Sequence, residues 1–178
     1  PHRDMEIVTY VLSGSLEHRD SLGHRGVIRP GEVQVMSAGR GIRHSEHNAS
    51  KTDPLHLLQL WIFPRHHGLE PRWEQREFPP SERSGRLLPV VSDGAIAGTL
   101  SIDQDAQIFI ARLAPGEKTA HALRPGRKAY LFLISGEAAV GGKKLAAGDQ
   151  ARIAGEKELA IEGGKDAELI LLDLPSGM

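Results

Sequence analysis

The sequence predicts a mostly β protein built as two barrel-like or sandwich-like units, and three observations carry that prediction. Short β-branched and aromatic runs recur along the 178 residues, each bounded by glycine, proline or acidic turn residues. No stretch sustains the 3.6-residue apolar period of an amphipathic helix. The two halves also echo each other: YVLSGSLEH followed by VIRPGEVQVMSAG parallels YLFLISGEAAV followed by KKLAAGDQARIAG. The match is loose and needs a one-residue gap, so a chance likeness among hairpins competes with duplication. A duplicated barrel explains it economically, because closed or double-sheet architectures leave few exposed edges.

Residues 7–12 (IVTYVL) read as a strand running into the Ser13-Gly14 turn, and 15–20 as its returning hairpin partner. Pro30-Gly31 marks a type II turn, since proline sets one central φ and glycine accepts the positive φ of the next. Residues 33–36 alternate as a strand, 37–41 form a glycine-containing loop, and 57–63 (LLQLWIF) form a strand stopped by Pro64. The polar, irregular stretch after His66 reads as a connector with one helical turn at 73–76. Further strands follow at 87–91, 98–102, 106–113, 130–134, 137–140, 150–154 and 168–174. The expected organisation is a first unit at 1–65, a connector at 66–86 and a second unit at 87–178. The opening PHRDMEIVTY has no initiator methionine and enters a strand almost at once, so an upstream segment is expected and the first unit is incomplete at its start.

Composition narrows the function classes. With 22 basic and 23 acidic side chains the net charge is −1, which leaves no surplus to hold a polyanion and argues against nucleic acid as a partner. The absence of cysteine removes disulfides, thiolate metal sites and thiol nucleophiles, and suits a cytoplasmic protein. The longest apolar runs fall far short of the ~18–20 residues of a membrane-spanning helix. No G-x-S-x-G elbow, H-E-x-x-H motif or P-loop is present.

The stretch GRGIRHSE, residues 39–46, superficially suggests a phosphate loop. It lacks the third glycine and no helical pattern follows to supply the amides and dipole for a pyrophosphate. Its His44 and Glu46 are spaced i, i+2, so on a strand they share a face and can approach one ion. Imidazole with carboxylate suits iron, nickel, manganese, copper or zinc; the plainer alternative is a solvated pair. His2 stands just before the first strand. If that strand faces the one bearing His44 across a barrel, two histidines and a carboxylate make a metal site with open positions; the plainer alternative is a frayed terminal residue. His18, His24, His56, His66, His67 and His121 read as surface or satisfied core, and His47 points away from His44.

PHRDMEIVTYVLSGSLEHRDS and VIRPGEVQVMSAGRGIRHSEHN, with HLLQLWIFP and LILLDLP, resemble the pirin family of metal-binding, two-barrel cupins. The resemblance covers nearly the whole chain, is highly specific over residues 1–64 and weakens afterwards. It implies an all-β fold of two cupin-type, jelly-roll barrels, with the N-terminal portion of the family fold absent here. In the family a His-Pro-His element and a His-x-Glu element supply the metal ligands. His2 matches the second histidine of the former and His44 and Glu46 match the latter, while the first histidine would fall immediately before Pro1. The corresponding positions of the second barrel fall near Arg124 and near Ala160 or Ile161, which offer no ligand pair. The resemblance further implies one divalent metal, Fe(II) first, with Ni, Mn, Cu, Co or Zn also compatible. It implies a monomer that cleaves quercetin or a related flavonol with O2, Glu46 accepting the 3-hydroxyl proton. Two other functions stay open: a non-catalytic metal- or redox-sensing regulator that binds a partner protein, and a cupin enzyme with another small-molecule substrate.

Overall fold

The computed structural model describes residues 1–177, which fold as strands apart from one four-residue helix, α1 (Pro80–Arg83). Two units emerge: Pro1–Phe78 with Leu100–Gln104, and Pro79–Thr99 with the chain from Asp105 onward. Among the described residues no helix is long and apolar enough to cross a membrane.

The first unit sets two sheets of different character. β1 (Glu6–Ser13), β4 (Glu32–Ser37), β6 (His56–Ile62) and β7 (Arg72–Glu77) form an antiparallel sheet ordered β6-β1-β4-β7, while β2 (Leu16–Asp20), β3 (Arg25–Ile28) and β5 (His44–Asn48) form a second, ordered β3-β2-β5. The short β9 (Leu100–Ser101) joins this unit through the Arg72 guanidinium, which donates to the Ser101 carbonyl. Two expectations are corrected here. Residues 15–20 do not return beside β1: β1 pairs with β4 and β6, and β2 with β3 and β5. The chain changes sheets at Gly14, where a Cβ would stand 2.5 Å from the Pro54 carbonyl oxygen, so backbone approach there replaces a hairpin turn. Nor is there a helical turn at 73–76; RWEQRE is β7, whose alternation sends Trp73 and Gln75 to one face while Arg72 and Glu74 pair on the other at 2.6 Å.

The apolar interior of this unit is split. Ile7, Met36, Ala38 and Ile42 form one cluster and Val11, Leu16 and Ile28 another. Between them the row Gln59–Thr9–Gln34 crosses three adjacent strands, with Thr9 and Gln34 fully buried. A polar belt at this depth needs internal partners, because an unpaired buried amide costs ~1–3 kcal/mol.

The second unit is organised by two long strands, β12 (Arg127–Val140) and β15 (Glu158–Pro175), paired along most of their length. The expected turn at Ser135-Gly136 is instead a bulged passage within β12, where Gly136 packs so closely on Lys165 that a Cβ would lie 1.9 Å from its carbonyl oxygen. β8 (Leu88–Ser92), β10 (Gln107–Leu113) and β13 (Lys143–Ala146) extend this sheet, and β11 (Lys118–Ala122) and β14 (Gln150–Ala154) pair with β15 and β12. Inside it lies a large apolar cluster including Phe109, Leu131, Leu133, Leu159, Ile161 and Leu169. Each such side chain contributes roughly 1.5–3 kcal/mol by leaving water.

Candidate metal centre

The polar belt of the first unit is where the predicted residues gather. β5 carries His44 and Glu46 half-buried, with Ser45 and His47 exposed, as period-two alternation demands. Two glycines deliver that strand. Gly39 has φ +46° and lies so close to Leu69 that a Cβ would sit 2.0 Å from the Leu69 oxygen; Gly41 has φ +139°. His2 is tied to Ile42 by reciprocal backbone bonds of 2.9 and 3.0 Å, which brings its ring to 4.9 Å from that of His44.

The register of β2 against β5 introduces a residue the sequence reading set aside. His18 lies directly opposite Glu46, and Asp20 opposite His44; such pairs bring side chains within ~5 Å. His18 is fully buried, not a surface residue, and its ring lies 5.4 Å from that of His44. Among the described residues, the group whose ligand atoms all fall within 4.8 Å of one another is His18, His44 and Glu46. His2 adjoins this group through His44 without belonging to it. The signal for His18 was available in part: it shares the inward face of β2 with Leu16.

The electrostatics follow from these contacts. Burial alone would raise the Glu46 carboxyl, but the His18 imidazole and the side-chain amides of Gln34 and Gln59, with His44 adding to them, hold its pKa at about 2. Both Glu46 oxygens are engaged, Oε1 by Gln34 Nε2 and Oε2 by Gln59 Nε2, each at 2.9 Å. For His44, burial disfavours the imidazolium and outweighs the pull of Glu46, with His2 and His18 adding repulsion, so its pKa is lowered. Asp20 is a carboxylate: burial works to raise its pKa, but bonds from the His24 ring at 2.9 Å, the His24 and Leu22 amides and His18 bring it below the usual range.

Since Asp20 can only accept, the 3.3 Å contact from His18 Nε2 places the proton there. His18 Nδ1 lies 3.7 Å from Glu46 Oε1, buried without a hydrogen-bond partner, as is His44 Nδ1. Two unpartnered imidazole nitrogens beside an ionised carboxylate gather three donor groups at one point, and such a set satisfies a divalent cation with a taste for nitrogen and oxygen donors. The residues present fit a metal.

The comparisons with known proteins bear on this geometry. The family model described as Pirin matches residues 1–62, and that described as the quercetinase C-terminal cupin domain matches residues 89–174. Quercetin 2,3-dioxygenase of Escherichia coli strain K12 is 41% identical over 175 residues, covering 98% of this chain and 74% of the relative. The chain belongs to the pirin family. A pirin-like protein of Caulobacter vibrioides is 42% identical over 174 residues, covering 97% of this chain and 75% of that relative. The crystal structure of the E. coli pirin YhhW superposes with a TM-score of 0.92 at 40% identity, covering 98% of this chain and 73% of that one. YhhW in complex with nickel(II) superposes at 0.91, also at 40% identity, covering 98% of this chain and 74% of that one. The two units are accordingly cupin-type barrels. Among the described residues the second offers no counterpart of the cluster: Ile161 is buried in its apolar core and Arg124 is exposed.

Proposed function

We propose that this pirin-family chain is a metal-dependent dioxygenase that cleaves quercetin or a related flavonol with O2, releasing carbon monoxide. The observation that supports it most is the buried His18, His44 and Glu46 cluster with its unpartnered nitrogens, in a chain whose relatives include a quercetin 2,3-dioxygenase and a nickel-bound pirin. His44 and Glu46 would hold the ion, with His2 and His18 completing the donor set from either side. A bound divalent metal supplies Lewis acidity that lowers the pKa of a nearby phenol.

The chain's own residues do the rest. Glu46 is a carboxylate, and release of one amide, which removes a bond that holds its pKa down, would free an oxygen to accept the flavonol 3-hydroxyl proton. His44 stays neutral and offers a nitrogen lone pair. Asp20 fixes the His18 tautomer so that Nδ1 faces the site. Gln34 and Thr9 line the depth of the site, and the flanking apolar clusters exclude water around it.

The test is flavonol consumption and carbon monoxide release in air by the metal-loaded chain. Turnover that exceeds that of Glu46→Ala supports the reading; equal rates contradict it.

A further inference from the structure

Glu46 is gripped from two sides, and the sides differ. Gln34 donates to Oε1 and Gln59 to Oε2. An amide can face either way, but an indole N–H only donates. Trp73 Nε1 donates to Gln34 Oε1 at 2.7 Å and Trp61 Nε1 to Gln59 Oε1 at 3.0 Å, so each tryptophan turns one amide's NH2 group toward one carboxylate oxygen. Thr9 Oγ1 accepts from Gln59 Nε2 at 3.2 Å and, more weakly, from Gln34 Nε2 at 3.5 Å, tying the two arms at the centre.

The Trp73 arm is interior. Gln34 is fully buried, and the half-buried Trp73 stacks on His18 at 5.4 Å with ring planes 18° apart. The Trp61 arm is open. Trp61 is 57% exposed, and its ring meets that of His2 edge-on at 5.0 Å. An exposed indole face beside an imidazole cluster suits a planar aromatic ligand, which gains apolar contact and quadrupole complementarity by stacking there. Stacking on Trp61 also bears on the indole hydrogen bond that turns the Gln59 amide, whose other bonds run to Thr9 and Glu46.

We propose that the two pairs form an asymmetric clamp on Glu46. Trp73 and Gln34 are permanent positioning residues; Trp61 and Gln59 form the arm that a planar aromatic ligand opens, freeing Oε2 for that ligand's hydroxyl proton. The second half rests on the flavonol reading above; the first requires only that Glu46 holds a metal.

The chain has two tryptophans, so its 15N spectrum contains two indole N–H signals, one for each arm. Trp61→Phe assigns them. Zn2+ should move both signals, because both arms end on Glu46. Quercetin added under argon to the Zn2+-loaded chain should move the Trp61 signal and leave that of Trp73 in place. Gln34→Leu and Trp73→Phe should weaken Zn2+ binding about 10- to 100-fold, as expected for partners that orient a ligand, and Gln59→Leu and Trp61→Phe less than about threefold. Should Trp73→Phe fail to fold, the wild-type Zn2+ titration still reads its arm. The clamp is overturned if Zn2+ leaves either signal unmoved, if quercetin moves neither signal or both, or if the order of affinities is reversed. These readouts need no turnover. A Trp61-selective shift without carbon monoxide release retains the clamp and rejects the dioxygenase reading, whereas turnover with a silent Trp61 does the reverse.

Discussion

In the first barrel, a row of polar side chains lies between two apolar clusters and converges on Glu46; in the second, a larger apolar cluster forms and buried polar side chains lock onto one another. Arg127 donates through Nε to Asp173 Oδ1 and through Nη1 to Asp105 Oδ1, both at 2.6 Å, and His121 Nε2 lies 2.8 Å from Asp173 Oδ2. Each barrel therefore holds a buried carboxylate beside a histidine. In the second, a guanidinium already neutralises the carboxylate. In the first, among the described residues, two amides and an imidazole rather than a guanidinium face the Glu46 carboxylate. The same architecture holds a closed ion-pair network in one case and a candidate cation site in the other, and the difference rests on a few inward-facing residues.

The largest effect expected from breaking this contrast is on the stability of the second barrel. Asp173 and Arg127 are almost completely buried, and removing Asp173 leaves the Arg127 charge with only the half-exposed Asp105 carboxylate beside it. Asp173→Asn should cost about 3–5 kcal/mol in chemical unfolding while leaving metal affinity unchanged. Burial acts to raise the Asp173 pKa, but His121 and Arg127 outweigh it and bring it below 3.8. The stabilisation from this lowered pKa is therefore complete above about pH 4 and is lost as the pH falls through the native value. The gap between wild type and Asp173→Asn should narrow over that acid range.

Next comes the first barrel's donor set. His18→Ala should weaken Ni2+ binding about 10- to 100-fold, and Asp20→Asn, which disturbs the His18 tautomer, by about tenfold; calorimetric titration reads both. A parallel His121→Ala should bind Ni2+ as wild type does. Smaller again is the turn that delivers β5. Gly39→Ala forces a side chain into a positive-φ position against Leu69, and should lower stability by at least ~1–2 kcal/mol in thermal unfolding.

How much of this was legible in the sequence depends on the range of the interaction that creates it. The i, i+2 spacing of His44 and Glu46 is local, and period-two geometry alone places them on one face. Strands such as β1 and β10 were readable because their apolar residues are contiguous. β7 was not, since RWEQRE resembles a solvated surface until pairing with β4 half-buries its first four residues. His18 was missed because its place is set by the β2–β5 register, a pairing between segments more than 20 residues apart. Gln34, Gln59, Trp61 and Trp73 are invisible one at a time, because an amide becomes informative only when an indole and a carboxylate from other strands fix its orientation.

The central claim is that the first barrel alone binds one divalent metal, and that Glu46 is its anionic ligand. Calorimetric titration of Ni2+ into the wild type and into Glu46→Ala tests it most directly. One ion per wild-type chain, with affinity lowered more than about 100-fold by the substitution, exceeds what loss of a mere orienting partner produces and is the expected result. No binding to the wild type, or equal binding by both proteins, would contradict it.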